Sequence, residues 1–181
     1  MVHVLGAFDV WHGDRDATPS ALPATVVQLL AIHDGRLHRS QLAEALWPDD
    51  APWIGIQRLR NLLHRLRRHT GGLVAAEGRD IVRFASGTRV DLTEFLTDAD
   101  RAISLATTDP PAALATGIPA LMRYRGPLLA DQPYADWAHP RRVYVADRHH
   151  LLLQALAHAS DQTGDTYSAR MYRARAIHTP Y

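Results

Sequence analysis

The chain has 181 residues, enough for one or two small domains with a buried core, and 46% of them are hydrophobic against 22% charged. It contains no cysteine, which excludes disulfides and thiolate metal sites, and no run of about eighteen apolar residues, which excludes a spanning helix. The formal charge of +1 hides an asymmetry: residues 1–53 hold three Arg against seven acids and residues 90–181 nine against ten, but residues 54–89 hold eight Arg against only Glu77 and Asp80.

In chain order, "VHVLGAFDVW" alternates and is rich in Val, Phe and Trp, so it predicts a strand. "HGDRDATPS" has turn chemistry, and "SALP" predicts a short strand before Pro23 opens a helix. Val26, Val27, Leu29, Leu30 and Ile32 form the apolar side of that helix, which "HDG" ends at Gly35. Ser40 predicts the N-cap of a second helix, "QLAEALW", with Leu42, Ala45 and Leu46 inward. "PDDAP" breaks it, and Asp49 or Asp50 is placed to cap a third helix over about 52–70, with Pro52 in its first turn. Gly71-Gly72 stops this helix, and residues 73–84, "LVAAEGRDIVRF", read as a hairpin around Glu77-Gly78. Two helices, a turn, a third helix and a hairpin make a winged helix-turn-helix over residues 1–90.

The third helix carries the basic charge. At 100° per residue, Ile56, Leu59, Leu62, Leu63 and Leu66 share one side. The opposite side holds Gln57, Asn61, His64 and Arg68, flanked by Arg58 and Arg65, with Arg60 and Arg67 at the other border. Amide side chains suit adenine edges and Arg suits guanine edges or phosphates, so this stripe points to the major groove of DNA. His64 adds a further candidate DNA contact on this stripe. In the hairpin, Arg79, Ile81 and Arg83 share the face opposite Val82 and Phe84, placing two more cations where a wing meets the DNA backbone. The same stripe could also be no more than a solvated helix face.

Residues 91–181 read as helices. "DLTEFLTDADRAISLAT" has apolar positions at Leu92, Phe95, Leu96, Ala99 and Ile103, and Asp109-Pro110-Pro111 ends it. "AALATGIPALMRY" is a second helix, broken or restarted near Pro119. An irregular connector, "GPLLADQPYADW", precedes a long helix from about Trp137 to Gln162, which Gly164 stops before a last helix, "DTYSARMYRARAIH". Paired helices of this kind suit stacked tetratricopeptide-like hairpins, although no clean 34-residue repeat is present. The fold class is therefore mainly α with small β-sheets.

No catalytic motif stands out. None of the eleven histidines forms an H-x-x-x-H or H-E-x-x-H pair. His33, His38, His149 and His150 read as surface or boundary residues. "GDRD" and "WPDD" suit turns and caps, and there is neither a phosphate loop nor a Gly-x-Ser-x-Gly elbow. No enzyme activity, metal or cofactor is expected.

"LAEALWPDD", "LRNLLHRLRR" and "TRVDLTEF" resemble the SARP class of actinobacterial antibiotic regulatory proteins, whose winged helix is of the OmpR/PhoB type. "RYRGPLLADQPYADWAHPRR" and "LLLQALAHASDQTGD" resemble the start of the bacterial transcriptional activator domain. The family's domain continues through further helices where this chain stops at "RAIHTPY", so an abbreviated activator domain is expected. The resemblance implies a cytoplasmic, nucleoid-associated activator of a biosynthetic gene cluster. It also implies a side-by-side homodimer on promoter direct repeats that recruits RNA polymerase through the sigma subunit. With the first strand at the N-terminus, no preceding receiver domain and no aspartyl phosphorylation are expected. The competing reading is a helical-repeat interaction module whose winged helix contacts protein rather than DNA.

Overall fold

The chain is described over residues 1–177 by a computed structural model and falls into two compact units. The first comprises Met1–Val4 and Phe8–Val90; the second comprises Leu5–Ala7 and the chain from Asp91 onward.

In the first unit, the expected N-terminal strand is two strands. β1 (Val2–His3) and β2 (Asp9–His12) pair antiparallel, with Val2 opposite Val10. The break falls at Gly6, whose φ of +106° no extended strand adopts. β3 (Arg15–Asp16) extends the sheet within the segment expected to be only a turn. "SALP" is not a strand: α1 runs Ala21–Ile32 behind an extended Ser20, and Pro23 sits in the first turn, where a backbone N–H has no partner anyway. β4 (Arg36–His38), which local pattern does not signal, leads directly into α2 (Arg39–Leu46).

The cap of α2 is His38, not Ser40. Its imidazole accepts the Ser40 N–H, and the Gln41 side chain accepts the His38 N–H at 3.1 Å. Ala43, not Ala45, joins Leu42 and Leu46 in the core. α3 (Pro52–His69) starts at Ala51, whose methyl side chain cannot cap it, while the Asp50 carboxylate stands 2.7 Å from Arg58. β5 (Val74–Glu77) and β6 (Ile81–Phe84) form the hairpin, and β6 lies between β4 and β5 in one antiparallel sheet. The order helix, helix, helix, hairpin is the one expected from sequence, with β4 added.

The second unit is helical: α4 (Asp91–Leu105), α5 (Pro110–Arg123), α6 (His139–Gln162) and α7 (Thr166–Ile177), each packed on the next. The chain as a whole is mainly α with small β-sheets. α5 is continuous through Pro119. Pro119 and Ala115, whose carbonyl loses its partner, both face solvent, so water can satisfy the freed group. Gly117 lies where α5 meets α4 and α6: a Cβ there would stand 3.0 Å from Ala102 Cβ and 2.8 Å from Leu156 Cδ2. The irregular connector is organised by Arg142, whose guanidinium donates to the carbonyls of Leu128 (2.9 Å), Pro133 (3.1 Å), Ala135 (3.3 Å) and Gln132. Arg123 joins the end of α5 to Glu94 (3.2 Å) and Asp98 (2.8 Å) on α4.

His149 is not the surface residue its neighbours suggest. It is 2% exposed, neither ring nitrogen has a hydrogen-bond partner, and the ring stacks on Tyr124 at 3.9 Å. Burial, reinforced by the nearby Arg175 and His150 charges, pushes its pKa down from 6.5 to about 4. The imidazole is therefore neutral when folded, and the unfolded chain takes up the proton first. Stability should fall as pH drops from about 6.5 toward 4, by on the order of 3 kcal/mol. Urea midpoints at pH 7.5 and 4.5 should show this loss, and His149→Phe should remove most of it.

Candidate nucleic-acid interface

The rotation of α3 about its axis decides what it presents. Leu59, Leu62, Leu63 and Leu66 are buried, joined by Gly55 in place of the expected Ile56, which is only half-buried. Gly55 lets α3 approach α2, since a Cβ there would lie 3.1 Å from Ala43 Cβ. The far end is held as firmly. Thr70 returns its N–H and hydroxyl to the Leu66 carbonyl, the latter at 2.8 Å, and Arg15 donates to the His69 carbonyl at 3.0 Å. Arg67, Arg68 and His69 occupy the last turn, where positive charge complements the helix dipole.

With the leucines inward, Gln57, Arg58, Arg60, Asn61, His64, Arg65 and Arg68 are all exposed. They are not equivalent. Arg58 is paired with Asp50, whereas Arg60, Arg65 and Arg68 make no ion pair among the described residues. Arg67 belongs to the scaffold: it is half-buried and its Nε donates to the Val74 carbonyl at 3.0 Å.

The hairpin corrects the expected geometry. Its turn spans residues 78–80, with Glu77 opposite Ile81, so Arg79 lies at the exposed tip rather than on the strand face of Arg83. Arg83 is on the central strand β6, opposite Ala75 on one side and Arg36 on the other. Glu77 binds Arg36 through two hydrogen bonds of 2.6 and 3.1 Å and stands 3.7 Å from Arg83 Nε. One carboxylate thus holds two guanidiniums, while Arg79 makes no ion pair among the described residues.

Three residues at this surface have no assigned role in the sequence reading: Trp53, His38 and Arg39. Trp53 is 70% exposed, and with His38, Arg39, Gln57, Arg60 and Arg79 it lines a groove of about 890 Å³. The helical count could have found Trp53, because positions 53, 57, 60 and 64 fall on one stripe. His38 and Arg39 come near only through the pairing of β4 with β6.

The sequence profile of the bacterial transcriptional activator domain matches residues 90–180, half of the chain. The chain belongs to this family. The matched activator domain is the four-helix second unit, α4 to α7, and its last residues lie beyond those described. No curated protein matches the chain. Among the described residues, no helix is long and apolar enough to cross a membrane, and no group of three His, Asp or Glu side chains is placed to hold a metal.

The inward and outward faces of α3 should separate in a stability measurement. Leu63→Ala should destabilise the first unit by about 2–5 kcal/mol. Asn61→Ala and His64→Ala, on the exposed side, should stay within about 0.5 kcal/mol of the parent. Thermal unfolding followed by circular dichroism reads all three.

Proposed function

We propose that the chain is a sequence-specific DNA-binding transcription regulator of the SARP type, acting as an activator of a biosynthetic gene cluster. In this reading residues 1–90 are an OmpR/PhoB-type winged helix and residues 91–181 an activator domain. α3 enters the major groove, Gln57 and Asn61 read base edges, and Arg60, His64, Arg65 and Arg68 add phosphate and guanine contacts. The hairpin is the wing, with Arg79 foremost. A side-by-side homodimer on direct repeats, recruiting RNA polymerase through its sigma subunit, completes the proposal, which places the protein on the nucleoid in the cytoplasm.

The observation that carries it is the composition of the exposed α3 stripe. Amides and unpaired guanidiniums alternate there with no acid on the same helix. A surface meant for an apolar protein partner would have to desolvate those cations, whereas DNA phosphates complement them. Membership of a transcriptional activator family points the same way.

The deciding measurement is salt dependence. With about five to eight phosphate contacts, affinity for duplex DNA should fall by orders of magnitude between 50 and 200 mM salt. Asn61→Ala and Gln57→Ala should alter base preference more than overall affinity. Binding that ignores salt, or no duplex binding at all, would instead favour a protein partner.

The wing gives a sharper expectation. Arg79→Ala should reduce the salt slope by about 0.9, one phosphate contact, whereas Arg83→Ala should change it less because Glu77 already holds that guanidinium. Glu77→Gln should release Arg36 and Arg83 and steepen the slope. Titrations of a random-sequence duplex at several salt concentrations compare the three variants.

A further inference from the structure

The groove between the first turns of α3, the β4–α2 junction and the hairpin tip contains a large apolar side chain among cations. Trp53 is 70% exposed there, with Arg39, Arg60 and Arg79 on the walls and Asp80 as the acid among the lining residues. Arg39 is half-buried on the wall of the groove and makes no ion pair among the described residues. By the helical count, Trp53 heads the stripe that continues through Gln57, Arg60 and His64. An indole left in water at that position favours an apolar contact on whatever α3 meets, and three guanidiniums around it favour a polyanion. On base-pair edges in the major groove, the apolar group is the 5-methyl of thymine.

We propose that Trp53 packs against thymine 5-methyl groups and is a specificity-determining residue of α3, while Arg39 and Arg79 hold the flanking phosphates. The inference rests on α3 facing DNA. It differs from the amide readout of Gln57 and Asn61 in using shape and apolar contact rather than hydrogen bonds.

The test uses a duplex that the parent chain selects from a random-sequence pool, synthesised once with thymine and once with uracil, which lacks only the methyl. The parent chain should bind the uracil duplex about three- to fivefold more weakly for each methyl contacted. Trp53→Ala should bind the thymine duplex more weakly, no longer distinguish the two duplexes, and keep the parent melting temperature. Trp53→Phe, with an apolar ring of smaller reach, should retain part of the discrimination. A parent chain indifferent to the methyl, or a Trp53→Ala chain that still discriminates, overturns the inference. Salt-dependent binding in those same titrations would leave the DNA reading standing. Absence of salt-dependent binding to any duplex overturns both.

Discussion

The packing of one leucine row constrains everything else at the candidate interface. Leu59, Leu62, Leu63 and Leu66 are each 2% exposed or less, and a helix cannot bury one side without committing the other to solvent. Gly55 sharpens the constraint, because its missing side chain lets α3 settle against Ala43 of α2 and leaves little freedom to rotate. A turn of even one residue would bring guanidiniums toward the core, where an unpaired charge is far more costly than a lost methyl contact. The outward stripe is thus a consequence of core packing, and its chemistry can vary while its position does not.

Charge placement then grades the cations. Acids near α3 and the hairpin are few, and two of them are engaged: Asp50 with Arg58, and Glu77 with both Arg36 and Arg83. Exposed pairs of this kind add little stability, but they change which guanidiniums can approach a polyanion without first losing a partner. Arg60, Arg65, Arg68 and Arg79 are both exposed and without an ion pair among the described residues. They occupy α3 and the hairpin tip, so these exposed positive charges line one helix and one turn.

The second unit solves a different problem, the close stacking of four helices. Small residues at Gly117, Ala102 and Ala120 allow α5 to approach its neighbours, and Arg142 gathers the carbonyls of a connector that forms no regular element. The buried, unpartnered His149 is tolerated because its neutral ring stacks on Tyr124, which in turn lies 5.5 Å from Phe95. Such an aromatic column is stable only while the imidazole stays uncharged.

Sequence alone determined those features whose cause is local. The leucine period of α3, the glycine stop at Gly71-Gly72, the hairpin of residues 73–84 and the four later helices are all legible because periodicity and turn chemistry act within a few residues. Where tertiary structure decided, the partner is distant in the chain. β4 exists because it pairs with β6, some 45 residues on, and that pairing carries His38 and Arg39 to the hairpin tip. The partner of Arg83, the burial of His149 and the surroundings of Trp53 are likewise set by long-range contacts that no window of sequence contains. α5 runs through Pro119 because that side of the helix faces water, a fact about its environment rather than its composition. The sequence could therefore state which residue types α3 exposes, while only the folded chain decides which of their charges remain unpaired.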